Sequence, residues 1–147
     1  MKFRRALPLL ALLAGAAPAL ALEHLAVGAA PAVLYDAPSQ KAQPLFVVAA
    51  RSPLEVIVGL GQWVKVRDSS GDLAWAQRAD LDGNRTLQVR EGGARVHAKP
   101  SSTAAVVFET DADVLLDLVK AGPPGWAEVR HIDGQRGYVS VSQVWGL

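Results

Sequence analysis

The sequence contains no cysteine. That absence excludes a thiol nucleophile, a disulfide-stapled scaffold, a thiolate zinc site and a lipid-modified cysteine. Aromatic side chains are scarce, at 6%, so the position of each ring is informative. Histidine occurs only as His24, His97 and His131, and no two of them stand at a metal-ligand spacing. There is no Gly-x-Ser-x-Gly elbow. An excess of one charge is missing too, with 15 Lys and Arg against 14 Asp and Glu. Three of the basic residues, Lys2, Arg4 and Arg5, fall in the first five positions; without them 12 basic residues face 14 acidic ones. This balance disfavours a nucleic-acid binder with a broad basic face. With 50% hydrophobic and 20% charged residues, the chain is not disordered by composition either.

The N-terminus reads as a secretory signal peptide. Met1 to Arg5 is a basic head, Ala6 to Leu20 is an apolar run broken by Pro8, Gly15 and Pro18, and Ala19-Leu20-Ala21 has the small-x-small cleavage pattern. A run this short, with two prolines, falls below the roughly 20 residues that cross a bilayer. Cleavage is expected between Ala21 and Leu22, leaving a periplasmic or secreted chain with no membrane span. Residues 22–31, with His24, read as a flexible N-terminal extension.

The remainder repeats. Trp63-Val64-Lys65-Val66-Arg67 lies over Trp126-Ala127-Glu128-Val129-Arg130, Gly71 over Gly134, and Trp75 over Tyr138. Upstream, Ala37-Pro38-Ser39 lies over Lys99-Pro100-Ser101. Between these anchors Leu54, Val56 and Val58 align with Val114, Leu116 and Leu118, which puts a three-residue insertion in Ala121–Gly125. Insertions belong in loops, so a tandem repeat of about 60 residues is the simplest reading.

Each unit has strand periodicity. Val64 and Val66 alternate with Lys65 and Arg67, and Val56, Val58 and Leu60 alternate with Ile57 and Gly59. Asp68–Asp72 and a two-residue Asp133-Gly134 read as hairpin turns. Five short strands per unit are too few for a sandwich and favour a small closed barrel. The expected architecture is all-β: barrel one over 32–84 and barrel two over 85–147.

The pattern Trp-x-x-Val-Arg, a turn glycine and then, in unit two, Gly-Tyr-Val resembles bacterial SH3 (SH3b) domains. Unit two carries it in Gly125–Arg130 and Asp133–Val139; unit one carries it in Gln62–Arg67 and Gly71–Ala76. The resemblance implies two tandem SH3-like barrels in an exported protein. It also implies a non-enzymatic binding role in a cell envelope, since such domains commonly accompany cell-wall hydrolases. The implied partner is cell-wall peptidoglycan, its peptide, or an envelope protein; docking on a periplasmic partner without a small ligand is the alternative.

Val33–Ala37 is similar to the start of the eukaryotic ALYDY motif, with Tyr35 at the first tyrosine. Trp63 and Trp126 match the groove tryptophan. Gln77, Asp80, Ser140 and Gln143 stand where the groove has proline or tyrosine, and His97 replaces a tyrosine. Rings worth about 0.5–1.5 kcal/mol each are therefore lost, which disfavours a polyproline ligand.

The candidate ligand-binding residues are Tyr35, Asp36, Trp63 and Trp75 in unit one, and His97, Trp126 and Tyr138 in unit two. A core role for these rings is the competing reading, and Trp145 is expected to pack against the terminal strand. No catalytic residue, cofactor or metal site is assigned. Glu109, Asp111 and Asp113 would share one face of a strand, but a solvated loop is the simpler reading. Asp68, Asp72 and Asp133 lie in turns, unlike the apolar pocket that a hydrolytic acid requires.

Overall fold

Alternation along each strand decides which residues face inward, and the interiors it builds are small. The computed structural model describes residues 22–147; the expected signal peptide, residues 1–21, lies outside the described residues. Unit one comprises β1 (His24–Val27), β2 (Ala32–Tyr35), β3 (Pro44–Val48), β4 (Pro53–Leu60), β5 (Trp63–Arg67), β6 (Leu73–Gln77) and β7 (Leu81–Asp82). A single 3-10 turn, Arg78–Asp80, precedes β7. Unit two comprises β8 (Thr86–Val89), β9 (Ala94–His97), β10 (Val106–Thr110), β11 (Leu115–Ala121), β12 (Trp126–Arg130), β13 (Arg136–Ser140) and β14 (Val144–Trp145), with a 3-10 turn at Val141–Gln143. The strand orders are β3-β2-β6-β5-β4-β1-β7 and β10-β9-β13-β12-β11-β8-β14. Each strand of the second order is the seventh after its counterpart in the first. The chain is therefore an all-β tandem repeat of two small barrel-like units.

Each unit has its own core. Val27, Leu34, Leu54, Val64, Val66, Ala74 and Ala76 fill the first. Leu87, Val89, Val96, Leu116, Ala127, Val129, Val139 and Val144 fill the second. No helix among the described residues is long and apolar enough to cross a membrane.

Four sequence expectations need correction. The units have seven strands, not five: the strand expected over Arg85–Arg90 is present as β8, but its counterpart β1 and the two-residue closing strands β7 and β14 add to the count. Leu22 to Pro31 is accordingly no loose extension: His24 is buried in β1 and pairs with Glu55 of β4. The repeat offset through β4 and β11 is 62, not 60. His24↔Glu55 corresponds to Thr86↔Asp117, and Val56↔Val66 corresponds to Leu118↔Val129. The non-glycine residues with left-handed φ, Arg51 at 66° and Asp113 at 65°, are also 62 apart. Between β4 and β5 the loop is Gly61-Gln62; between β11 and β12 it is Gly122–Gly125.

The third correction concerns facing. A β-bulge falls between Val56 and Val58. Val56 packs on the core, whereas Val58 stands opposite Lys65 and is 48% exposed. An extra residue in one strand reverses the alternation beyond it, so period two alone misplaced Val58 and Leu60. The fourth concerns the Asp133-Gly134 turn. His131 N–H donates to the Gln135 carbonyl at 2.8 Å, closing a three-residue loop in which only Gly134 has positive φ, 96°. Asp68 and Asp72 close Ser69-Ser70-Gly71 in the same way, at 3.1 Å.

The units touch through β1, β8 and the ends of the chain segments around them. The Thr86 hydroxyl donates to the Arg51 carbonyl at 2.6 Å, and Arg51 pairs with Asp117 of unit two. Trp145, expected to pack on its own terminal strand, does lie in β14, and its ring also meets His24 edge-on across the junction, 5.3 Å between centroids. Gly146 permits the approach: with φ 114°, a Cβ there would sit 2.8 Å from the Thr86 carbonyl oxygen and 3.0 Å from Pro53.

This junction predicts an acid sensitivity. Burial, reinforced by the Arg85 charge, lowers the His24 pKa below its ordinary 6.5, and Glu55 only partly opposes this. His24 Nδ1 is buried without a partner. The neutral ring is thus favoured in the fold. The corresponding stability is fully present above about pH 6.5 and is lost as pH falls through the lowered folded value. Melting temperature is expected to drop between pH 7 and 5, and His24→Asn to flatten that slope; an unchanged slope in the variant would assign the effect elsewhere. Below pH 4 two carboxylates add to the loss. Burial alone would raise the Asp117 carboxyl, but hydrogen bonds from Arg51 and Arg130 outweigh it and hold it low. Asp133 is held at about 2 by the Gln135 backbone and side chain and then by His131.

Candidate functional site

Tyr35, Trp63, Trp75, Trp126 and Tyr138 belong to neither core. In β2 the core takes Ala32 and Leu34, in β5 Val64 and Val66, and in β6 Ala74 and Ala76. Tyr35, Trp63 and Trp75 alternate with those residues and so stand on the outer face, half-buried. Pairing aligns them into rows. Tyr35 lies opposite Trp75, Trp75 opposite Lys65, and Lys65 opposite Val58. The adjacent row runs Gln77, Trp63, Leu60.

Contacts across these rows make a platform. The Tyr35 and Trp63 rings meet edge-to-face with centroids 5.6 Å apart and planes at 89°, the arrangement favoured by ring quadrupoles. Lys65 Nζ lies 5.9 Å from the Trp75 ring centroid, within cation–π range. Leu60 is 57% exposed at the border. Gln40 Nε2 donates to Gln77 Oε1 at 3.0 Å, tying the loop after β2 to β6.

Asp36 is exposed beside Tyr35 but partly occupied, since its Oδ1 accepts the Gln43 N–H at 3.0 Å and closes the β2–β3 loop. Arg67 contributes no free charge to this surface. It pairs with buried Glu55 at 2.9 Å, in the row that leads to His24.

Unit two repeats the ring geometry with different chemistry. His97 and Trp126 meet at 5.6 Å and 89°, the same as Tyr35 and Trp63. Tyr138 lies opposite both His97 and Glu128, and Glu128 lies opposite Lys120. His97 is buried, with Nδ1 3.0 Å from the Ala104 carbonyl oxygen. A carbonyl only accepts, so this nitrogen carries the proton. Lys120 and Glu128 form an ion pair at 3.3 Å. The structure thus places the seven candidates in one cluster per unit, Tyr35, Asp36, Trp63 and Trp75 in the first and His97, Trp126 and Tyr138 in the second.

Val58, Leu60 and the Lys120–Glu128 pair complete these surfaces and were not anticipated, because the bulges that present them leave no mark in residue type. Leucine and valine alternating with core positions were the only available signal.

The acidic trio does not assemble. Glu109 is paired with Arg95 at 2.8 Å, and Asp113 accepts from Gln88 Nε2 at 2.8 Å from a left-handed turn outside β10. No group of three His, Cys, Asp or Glu among the described residues is placed to hold a metal.

Two small antiparallel units, each with an edge-to-face ring pair outside its core, define an SH3-like class of tandem module. The family model described as bacterial SH3 domain matches residues 28–83 and 90–146. The chain belongs to the bacterial SH3 domain family, in two tandem copies. Each matched segment begins just after the first strand of its unit.

No curated protein matches the sequence. Similar solved structures include NlpC2 from Trichomonas vaginalis, at 10% identity and TM-score 0.39, covering 85% of this chain and 48% of that one. NlpC1 from the same organism is 12% identical with TM-score 0.40, covering 88% and 47%. An NlpC/P60 family protein from Bacillus cereus ATCC 10987 is 14% identical with TM-score 0.38, covering 84% and 56%. The chain spans about half the length of these proteins.

Proposed function

We propose that the mature chain is a non-enzymatic, exported binding module that engages cell-wall peptidoglycan through the outer face of unit one. The observation that carries this reading is the ring cluster Tyr35, Trp63 and Trp75 standing outside the core, bordered by exposed Val58 and Leu60. Half-buried rings on a rigid sheet present apolar area at low entropic cost, which suits a weak peptide ligand. Unit one is the stronger binder. In unit two a buried, hydrogen-bonded His97 replaces Tyr35, and the Lys120–Glu128 ion pair occupies the flank that Lys65 and Val58 leave open. Family membership supports the envelope setting.

Retention on purified sacculi stripped of protein tests the reading. The full mature chain is expected to be retained. Retention only on sacculi that still carry their proteins would instead favour docking on an envelope protein.

A further inference from the structure

We propose that Lys65 makes the unit-one face selective for carboxylate-bearing wall peptides, a selectivity that unit two lacks because Glu128 stands at the equivalent position. The inference rests on the binding reading above and names the chemistry of its ligand.

Lys65 differs from Arg67, the other cation of β5, which is paired with Glu55, and from Lys120, the cation of the matching surface in unit two, which is paired with Glu128. Lys65 has no acidic partner within ion-pair distance among the described residues, and its Nζ is held beside Trp75 instead. A peptide laid across Trp75, Trp63 and Val58 would take this ammonium partly out of water. An unpaired cation resists such desolvation unless the ligand brings an anion.

The rest of the face gives the ligand a direction. Asp36 stands beside Tyr35 on the β2 side and would repel a carboxylate there. Lys65 lies on β5, next to the exposed Val58 and Leu60 of β4. A second cation without an ion-pair partner, Arg78, packs against Gly59, its guanidinium 2.8 Å from where a Cβ would stand. In unit two the residues opposite one another are Glu128 and Lys120, already neutralised, and Arg78 is replaced by Val141 in the matching 3-10 turn. A carboxylate is thus favoured at the β4–β5 side of unit one and has no counterpart cation free in unit two.

The test compares protein-stripped sacculi with the same sacculi after their carboxyl groups have been converted to amides. Wild-type mature protein is expected to bind amidated sacculi about tenfold more weakly, the scale of one charge-assisted hydrogen bond. Lys65→Glu should lose about tenfold on native sacculi and become indifferent to amidation. Lys99→Glu, the same charge change on an exposed loop of unit two, should bind like wild type. Lys65→Gln provides the comparison if Lys65→Glu lowers the melting temperature. Equal wild-type binding to native and amidated sacculi would overturn the carboxylate inference and leave the wall reading standing. Equal losses from Lys65→Glu and Lys99→Glu would also overturn it, by reducing the effect to net charge. Binding to neither preparation would overturn the wall reading, and this inference with it.

Discussion

Residues 85–147 expressed alone will melt roughly 8–24 °C below the full mature chain. A unit of this size buries only about 60% of its unfolded surface and is marginal by itself. The junction supplies what the unit lacks. Separation removes His24 from the Trp145 ring, the Arg51 carbonyl from the Thr86 hydroxyl, the Arg51 guanidinium from Asp117, and Pro53 from Gly146. A ring pair is worth about 0.5–1.5 kcal/mol, a neutral hydrogen bond about 1 kcal/mol and a part-exposed ion pair less than that. Together they reach about 2–3 kcal/mol, and each kcal/mol shifts the melting of a small domain by roughly 4–8 °C. Calorimetry of the full chain should correspondingly show one transition rather than two. An isolated unit as stable as the whole would mean that the junction contributes nothing.

Leu116→Ala will cost about 2–5 kcal/mol, and Leu54→Ala the same. Both leucines are fully buried, 62 residues apart, at the centre of equivalent cores. Truncation loses the transfer energy of the removed carbons and leaves a cavity whose collapse the surrounding strands resist. Because the two cores share no residue, the units provide paired readouts of the same substitution. Urea titration should give similar losses for the two variants. If the units fold as one, Leu54→Ala must also lower the unfolding midpoint monitored at Trp126 and Trp145 of unit two. A loss confined to the mutated unit would contradict that coupling.

The repeat, the β class and the outward rings were legible because tryptophan, turn glycines and alternating valines are rare enough together to align. Alternation through Trp63-Val64-Lys65-Val66-Arg67 also separated core from surface correctly within β5. The strand over Arg85–Arg90 was legible and is β8, but its equivalence to an opening strand β1 was not. His24-Leu25-Ala26-Val27 and Thr86-Leu87-Gln88-Val89 share only the leucine and valine, and the turn glycines that bound other strands are replaced by an expected cleavage site on one side. The correct offset was hidden for the same reason. Three alternating apolar residues fit a strand equally well when slid by two, and only the pairing of Glu55 with His24 and of Asp117 with Thr86 fixes the register. Trp145 read as a residue of its own terminal strand because nothing in a sequence shows that a second unit lies above that strand. Whether the rings were core or surface depended on facing, which the strand pairing provides and residue type does not.

The most direct measurement pairs binding with melting for Tyr35→Ala, Trp63→Ala and Trp126→Ala, using protein-stripped sacculi. If the outer face of unit one holds the ligand, Tyr35→Ala and Trp63→Ala will each weaken retention by about 1–3 kcal/mol, the range of an interface anchor. Their melting will fall far less than in the leucine variants, and Trp126→Ala will bind like wild type. Collapse of melting in both unit-one variants, with normal binding by whatever remains folded, would make these rings structural and contradict the account.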